Sequence, residues 1–325
     1  MKKNYVISKT PLRVTFLGGG TDIPYFYKNY GGATINLAIN KYVYVTVKRH
    51  SSYFIENYRL NYHETENCFK INQIKNSIIK ETIKYLKIRC PLFISIISDV
   101  PTGTGLGGSS SFTVGLILAL AKLENIKVDQ KKLFNVATEI ELNIIKNPIG
   151  KQDHVPAVFG GMNYTNYLKN DKIQISKMNA NKLNENLMIV WTKITRDANF
   201  ILENQKRSFK KNIKTLKKMK DITTQFYKSY YRNKKLNLDA LISDVNFSWQ
   251  LKEKLSRHIS LSTVKKLISD AQSKNIGAKI LGAGGGGFVF LFDKKLFKKI
   301  EFKNYSFIFE KVNVSKEGSK IIFEE

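Results

Sequence analysis

Apolar and polar positions alternate along much of the first part of the chain, which is typical of half-buried β-strands. Residues 5–17 and 33–49 show this alternation. Residues 75–88 instead repeat apolar positions at helical spacing, and an apolar run over 91–100 leads through a glycine-rich loop into an apolar helix over 112–123. The same patterns predict further strands over 52–62 and 188–192 and further helices over 131–147, 195–222, 237–257 and 261–275. A strand–loop–strand unit over 277–292 and a short β-rich end over 298–325 complete the series.

The length of the chain and a change in the pattern of its predicted elements indicate two domains. At about 150 residues per domain, the 325 residues suggest two units or one large one, and the character of the elements changes near residue 180. We therefore predict domains over 1–180 and 181–325. Hydrophobic residues make up 42% and charged residues 25% of the chain, which is typical of folded globular proteins and argues against a disordered chain.

The cysteines, the histidines and the N-terminal segment argue against several classes of protein. Cys68 and Cys90 are not in a CxxC pair and the four histidines lack zinc spacing, so both cysteines are interpreted as reduced core residues. The basic N-terminal segment has no apolar region of the signal-peptide type. No run approaches the roughly 18 apolar residues of a membrane span. We expect a cytoplasmic protein without a membrane partner.

The chain is strongly basic. It has 54 Lys and Arg residues against 26 Asp and Glu residues, a formal net charge of +28, and such a charge invites a nucleic-acid-binding function. The lysines, however, are spread along the whole chain, and the dense group over 206–220 accompanies an apolar stripe of Phe209, Ile213 and Leu216. This pattern is typical of a surface helix with a solvated face. Charge alone does not choose a function, and we expect no nucleic-acid partner.

The loop over 101–111, with the sequence PTGTGLGGSSS, follows a predicted strand and precedes a predicted helix. Glycines there let backbone N–H groups converge, and the helix N-terminus adds partial positive charge, so the loop is suited to holding phosphate groups. A serine in this position is also a common helix cap. The loop is not a P-loop, because no Lys follows Gly108. It matches GxGxxG formally, but the second strand and acidic residue of a dinucleotide fold are missing.

Two further glycine loops are candidates for close approach of the backbone to a ligand. The first, over 18–20, is followed by Thr21 and Asp22 and preceded by Arg13 on a strand. A carboxylate in such a place can accept hydrogen bonds from a polyol, although it can equally stabilise a turn. The second, over 282–287, separates two apolar strands and is also compatible with a tight hairpin.

Taken in order, the segments PLRVTFLGGGTD, PTGTGLGGSS and KILGAGGGGF resemble the three signatures of the GHMP small-molecule kinases. The resemblance spans residue 9 to about residue 290. It implies an α+β, two-domain fold, with an N-terminal half like domain 2 of ribosomal protein S5, a ferredoxin-like C-terminal half and the active site between them. Within the superfamily the chain is most similar to D-glycero-D-manno-heptose 7-phosphate kinases, with the fucokinase half of bifunctional enzymes also similar. His154 departs from the usual Gln after Asp153, and Lys-Ile precedes Thr195-Arg196 in place of a Gly-rich turn.

The resemblance also implies roles for particular residues. Asp153 matches the catalytic aspartate, and Arg13 matches the cation that holds it and stabilises the transferring phosphoryl group. Ser109, with Ser110 as the alternative, and Glu141, in preference to Glu139, match the Mg²⁺ ligands. The residues expected to bind the ATP phosphates are Gly103, Gly105, Leu106, Gly107, Gly108, Ser109 and Ser110. The residues expected to bind the acceptor are Gly19, Gly20, Asp22, Arg196, Gly284 and Gly285, with Lys9 and Arg196 as candidates for a distal phosphate.

These expectations describe an ATP- and Mg²⁺-dependent kinase, monomeric or homodimeric, whose partner is a small sugar phosphate. It would phosphorylate the anomeric O1 of D-glycero-D-manno-heptose 7-phosphate to the 1,7-bisphosphate, for GDP-heptose and surface-polysaccharide synthesis. Three alternatives stay open. They are another anomeric sugar kinase, such as a fucokinase or hexose 1-kinase, a kinase fold used only for binding, and a basic nucleic-acid-binding protein.

Overall fold

The computed structural model describes residues 3–194, 209–255, 262–282, 284–294 and 305–325. The described strands are β1 (Tyr5–Leu17), β2 (Gly32–Arg49), β3 (Tyr58–Asn61), β4 (Thr65–Cys68), β5 (Leu92–Ser98), β6 (Met162–Tyr167), β7 (Ile173–Met178), β8 (Leu187–Trp191), β9 (Gly277–Ile280), β10 (Phe288–Phe292), β11 (Ile308–Val312) and β12 (Lys320–Glu324). The described α-helices are α1 (Pro24–Tyr30), α2 (Ser77–Tyr85), α3 (Gly108–Leu123), α4 (Gln130–Thr138), α5 (His154–Phe159), α6 (Phe209–Asn233), α7 (Leu238–Glu253) and α8 (Ser262–Ser273).

The larger of the two sheets is built around β2. This 18-residue strand pairs antiparallel with β1 along most of its length, with β6 over its first half and with β5 over its second half. The strands β3 and β4 extend the sheet beyond β5, and β7 extends it beyond β6. Because β2 has neighbours on both sides, its first eight residues are all buried, as expected for a central strand.

The smaller sheet contains four antiparallel strands in the order β11-β8-β10-β9. Helices α7 and α8 cover it through an apolar cluster that includes Trp249, Leu267 and Val289. The last strand, β12, does not join this sheet and instead pairs antiparallel with β1 at the edge of the larger sheet. The 181–325 range therefore contributes a strand to the sheet that otherwise belongs to the 1–180 range.

Helix α3 is apolar all round because it is buried on nearly every face, which is the usual reason for such a pattern. One face packs on β1 and β2 and the opposite face on α4 and α5. At Gly115 an added Cβ would lie 2.7 Å from the Thr10 Oγ1 atom, so glycine allows the helix to approach the sheet closely. This packing fixes the N-terminal end of α3, where the glycine-rich loop over 101–107 begins the helix.

The end of β1 connects the two sheets. The Phe16 ring meets the rings of Phe290 and Phe292 edge-on, each with centroids 5.1 Å apart. The Lys279 ammonium on β9 donates a 3.1 Å hydrogen bond to the Phe16 carbonyl oxygen. The loop that follows β1 therefore starts at the junction of the two sheets.

Most predicted elements are present, with three differences. The predicted helix over 131–147 ends as an α-helix at Thr138 and continues as a π-helix over Glu139–Ile144. The predicted strand over 52–62 is present only as β3, Tyr58–Asn61. The apolar run over 91–100 is only partly buried, and Ile97 is 64% exposed. The predicted helix over 195–222 begins outside the described residues. No helix in the described ranges combines the length and the hydropathy needed to cross a bilayer.

Candidate active site

The second and third glycine loops interlock through their backbones. Gly105 has φ +85°, and a Cβ atom there would lie 2.8 Å from the Leu281 carbonyl oxygen. A Cβ atom on Gly282 would lie 2.6 Å from the Gly105 Cα atom. The Phe288 N–H donates to the Thr104 carbonyl oxygen at 3.2 Å. Glycine is therefore required here both for the left-handed backbone and for the close approach.

A cavity of about 280 Å³ opens where these loops meet the end of β1. Its wall is formed by the first loop, the loop over 103–109, the segment 147–153 and parts of α7 and β9. Leu281 and Gly282 represent the third loop in this wall. The cavity thus brings together the three glycine-rich segments that the sequence singled out.

Arg13 and Asp153 form a bidentate ion pair on the wall of this cavity. The Arg13 Nε atom donates to Asp153 Oδ1 at 2.8 Å, and Nη2 donates to Oδ2 at 2.6 Å. The Nη1 atom donates to the Gly105 carbonyl oxygen at 2.5 Å. Arg13 is 3% exposed, so its guanidinium group is held rigidly between β1 and the second loop. Such a paired, charge-assisted contact fixes the orientation of the carboxylate.

Ser109, Glu141 and His154 form a second polar cluster at the start of α3. The Ser109 hydroxyl donates to Glu141 Oε1 at 2.5 Å, and His154 Nε2 lies 2.7 Å from Glu141 Oε2. Glu141 and His154 are fully buried. The π-helical turn carries Glu141 inward, and such turns often occur at functional sites. Glu139, in contrast, binds the Asn143 amide and lines a neighbouring cavity of about 550 Å³.

The donors of this cluster fit a hard divalent cation. A serine hydroxyl and a carboxylate are oxygen ligands of the kind Mg²⁺ prefers, and they lie within contact of each other at the end of a phosphate-type loop. Ser110 does not line the cavity, and its buried hydroxyl has no hydrogen-bond partner among the described residues. The geometry therefore favours Ser109 over Ser110 as the residue that faces the cavity.

Asp22 is buried beneath the first loop. Its Oδ1 atom accepts from the Gly20 N–H at 3.0 Å and its Oδ2 atom from the Gln152 N–H at 3.2 Å. Burial raises the pKa of Asp22 to about 6, the Asp153 charge acts in the same direction, and the backbone hydrogen bonds oppose both effects. A Cβ atom on Gly150 would lie 1.7 Å from Asp22 Oδ2. Asp22 therefore ties the first loop to the segment that carries Asp153.

The structure does not bring every predicted site residue to the cavity. Gly19 and Gly20 line it, whereas Gly284 and Gly285 do not, because the third loop is turned so that Leu281 and Gly282 face inward. The Lys9 ammonium lies 3.8 Å from the centroid of the Tyr42 ring and lines no part of the cavity. Arg196 lies outside the described residues. Among the phosphate-loop candidates, those that line the cavity are Gly103, Gly105, Gly107, Gly108 and Ser109.

Several cavity residues were not assigned from the sequence. Thr15 and Gln152 lie on the wall and contact each other at 3.4 Å. Lys252 and Lys279 also line it, each almost completely buried. A lysine within the short apolar strand β9 was the available signal for Lys279, because an apolar strand seldom carries a charge inward unless the charge has a partner.

Comparisons with known proteins indicate the family of the chain. Residues 74–161 match the model of the GHMP kinases N terminal domain. The chain is 30% identical to the D-glycero-alpha-D-manno-heptose 7-phosphate kinase of Campylobacter jejuni over 309 residues, 88% of each chain. It is 23% identical to a galactokinase of Thermotoga neapolitana, covering 91% of this chain and 92% of that protein.

Solved structures show the same fold. The crystal structure of a D-glycero-D-manno-heptose 1-phosphate kinase from Bacteroides thetaiotaomicron matches with a TM-score of 0.76 at 20% identity, covering 98% of this chain and 99% of that one. A mevalonate kinase structure matches with a TM-score of 0.71 at 21% identity, covering 96% and 99%. The predicted α+β GHMP kinase fold is confirmed. The chain belongs to the GHMP kinase family and is an ATP-dependent sugar kinase.

Proposed function

We propose that the enzyme transfers the γ-phosphoryl group of ATP to the anomeric O1 of D-glycero-D-manno-heptose 7-phosphate, giving the 1,7-bisphosphate. The observation that carries this proposal is the bidentate ion pair of Arg13 and Asp153 on the wall of a cavity bounded by three glycine loops. The choice of acceptor follows the Campylobacter jejuni relative, whose name specifies the heptose 7-phosphate. The TPLRVTFLGGGTD segment, with three glycines in the first loop, supports the same subgroup.

The cavity residues divide the chemistry between them. Backbone N–H groups of the loop over 103–110 hold the phosphates of ATP, as expected at a helix N-terminus. Asp153 orients the O1 hydroxyl and takes its proton as the new O–P bond forms and the bond from the γ-phosphorus to the β,γ-bridging oxygen breaks. Arg13 holds the carboxylate in place and stabilises the charge on the transferring group. Phosphoryl transfer depends mainly on such positioning and charge stabilisation.

Ser109 and Glu141 are the residues that would hold Mg²⁺. When bound, the ion supplies neutralisation of the charge on the β- and γ-phosphate oxygens. The contribution of this chain is to fix both oxygen donors. The start of α3 fixes the Ser109 hydroxyl, and the buried His154 fixes one oxygen of Glu141.

The acceptor lies, in this proposal, against the first loop. Gly19 and Gly20 line the cavity and provide backbone for close contact, while Asp22, which also lines it, holds their loop in place through its hydrogen bond from the Gly20 N–H. Arg196, Gly284 and Gly285 stay predictions as acceptor residues. The wider predictions also stay proposals: supply of GDP-heptose synthesis, a cytoplasmic location, a monomer or homodimer, no nucleic-acid partner, and domains over 1–180 and 181–325.

A panel of acceptors tests the substrate. ADP release would be measured by a coupled assay with the heptose 7-phosphate, the same heptose without phosphate, fucose, galactose and mannose. We expect the highest kcat/KM with the heptose 7-phosphate. Equal turnover with and without the 7-phosphate would contradict the proposal, and preference for galactose or fucose would favour another anomeric sugar kinase. Tight binding of DNA or RNA at physiological salt without any transfer would favour the nucleic-acid alternative.

Substitution of Asp153 tests the mechanism. Asp153→Asn keeps the size of the side chain but removes the proton acceptor, so we expect kcat to fall by about 10²- to 10⁴-fold. The dissociation constant of ATP should change little, since Asp153 does not belong to the phosphate loop. Asp99→Asn is the matched control, because this exposed carboxylate binds only the Tyr42 N–H among the described residues. Retained turnover in Asp153→Asn would refute the assignment.

A further inference from the structure

Two lysines reach the cavity from the side of the smaller sheet. Lys252 lies near the end of α7 and is 8% exposed, and Lys279 lies on β9 and is 4% exposed. Both line the cavity that holds Arg13 and Asp153. Lysine is rarely buried to this degree unless its charge has a partner, so this pair requires an explanation.

Neither ammonium group has its hydrogen-bonding capacity filled. Within the part of the chain that the structure describes, Lys252 donates to the Gly282 carbonyl oxygen and Lys279 to the Phe16 carbonyl oxygen at 3.1 Å. An ammonium has three donors, so two remain on each lysine. No carboxylate oxygen of a described residue lies within 4.0 Å of either nitrogen. Neither buried charge therefore forms a direct ion pair with a carboxylate of the described residues.

The surrounding charges add to this imbalance. Burial lowers the pKa of Lys252 to about 8, the Arg13 guanidinium lowers it further, and Asp22 and Asp153 partly offset both. Burial also lowers the pKa of Lys279 well below its usual value, with Lys252 and Arg13 acting in the same direction. The Asp153 carboxylate is already occupied by Arg13. A negatively charged group in the cavity would restore the balance for both lysines.

The position of the pair indicates which ligand provides that charge. The phosphate loop over 103–109 has its own backbone donors at the start of α3. Lys279 binds the carbonyl oxygen of Phe16, the penultimate residue of β1, two residues before the loop that carries Gly19, Gly20 and Asp22. Lys279 therefore lies beside the loop assigned to the acceptor, and Lys252, bound to the Gly282 carbonyl oxygen of the third loop, lines the same cavity. We propose that Lys252 and Lys279 bind the phosphate group carried by the acceptor sugar and so select a phosphorylated substrate.

This inference rests on the proposed function and deepens it. Lys252→Met and Lys279→Met remove the charge while keeping an unbranched side chain. Because each substitution removes an unbalanced buried cation, we expect the ligand-free variants to stay folded, with melting temperatures near or above that of the wild type. Lys252→Gln serves as a second variant at the first position. The matched control is Lys177→Met, since Lys177 also donates to a backbone carbonyl, that of Gly160 at 2.5 Å, and lies outside the cavity.

Calorimetric titration of each protein distinguishes the possible sources of phosphate. The three titrants are heptose 7-phosphate, the same heptose without phosphate, and a non-hydrolysable ATP analogue. In Lys252→Met and Lys279→Met we expect binding of heptose 7-phosphate to weaken by about ten- to hundredfold, as for loss of a charged hydrogen bond. Binding of the ATP analogue should change by less than about threefold. The control should match the wild type with all three titrants.

The contrary outcomes are separable. If the wild type prefers heptose 7-phosphate and the lysine variants keep that preference, the inference is wrong and the proposed function stands. If the loss falls on the ATP analogue instead, the lysines bind the donor and the acceptor assignment is overturned. If the wild type itself binds the phosphorylated and unphosphorylated heptose equally, both the inference and the heptose 7-phosphate assignment fail.

Discussion

Asp22 combines full burial with a carboxylate that accepts two backbone hydrogen bonds. Its pKa, raised from 3.8 to about 6 chiefly by burial and next by the Asp153 charge, means that the folded state favours the protonated form. The stabilisation from this group is therefore complete below pH 3.8 and is lost as the pH rises through 6. A shift of about two pKa units corresponds to about 3 kcal/mol at most.

The pH dependence of Asp22→Asn tests this conclusion. Because Asn does not titrate, the free energy of unfolding of the variant minus that of the wild type should increase by up to about 3 kcal/mol between pH 4 and pH 7. Chemical denaturation of both proteins across that range measures the difference. The hydrogen bond that Asn cannot accept lowers the free energy of unfolding of the variant by a similar amount at every pH. The change of the difference with pH therefore reports the titration of Asp22.

Asp171, whose pKa is shifted in the opposite direction, provides a control for that measurement. Burial alone would raise the pKa of Asp171, but hydrogen bonds from Lys151 and Tyr27 outweigh it and lower the pKa. Its stabilisation is fully present above the unfolded pKa of 3.8 and is lost only as the pH falls below that value, so the difference for Asp171→Asn should stay nearly constant between pH 4 and pH 7. A difference for Asp22→Asn that is constant with pH would contradict the burial argument.

At the scale of single residues, sequence patterns predicted that Arg13 and Asp153 act together but not which groups surround them. Arg13 and Asp153 belong to contiguous motifs, and the structure brings them together. His154 departs from the family pattern in the sequence, and in the structure its Nε2 atom lies 2.7 Å from Glu141 Oε2. The partner is thirteen positions away on another element, and no local pattern encodes such a contact. No local pattern encodes the contacts of Lys252 with Gly282 or of Lys279 with Phe16 either.

At the scale of elements, the glycine loops act through their mutual contact rather than through flexibility. Gly105 needs both its left-handed backbone and the space beside the Leu281 carbonyl oxygen. Gly108, three residues later at the start of α3, has no atom within 4 Å of an added Cβ. The sequence predicted that both glycines serve the phosphate site, but the different packing of each depends on the third loop.

A matched pair of substitutions separates these glycines. Gly105→Ala should lower the free energy of unfolding of the ligand-free enzyme by at least about 1–3 kcal/mol, because strain and a backbone clash both arise. Gly108→Ala should change it by less than about 0.5 kcal/mol, since alanine is favoured over glycine at a helix start. Denaturant titration measures both. Equal effects would show that the loops do not interlock as described.

At the scale of the whole molecule, the order of elements was predictable and their assembly was not. Alternation and helical spacing located most strands and helices, because these patterns are local. The pairing of β12 with β1 joins residues more than 300 positions apart, and only the packed sheet determines it.

The net charge of +28 bears on the capture of ligands rather than on the type of reaction. The proposed ligands are anions, and a positive field aids their capture, but the cavity residues define the reaction.

Removal of the last strand tests how the molecule is assembled. Deletion of residues 320–325 takes away the backbone partner of residues 6–9 and should lower the free energy of unfolding by roughly 2–4 kcal/mol, for a few lost hydrogen bonds at about 1 kcal/mol each. Most β12 side chains are exposed, so Ile322→Ala, at a side chain 46% exposed, should have little effect and serves as the control. Hydrogen–deuterium exchange should show faster exchange of the β1 amides, while β8 and β10 in the smaller sheet keep their protection. If β8 and β10 lose protection as strongly as β1, the last strand stabilises the two sheets together and its assignment to the larger sheet alone is wrong.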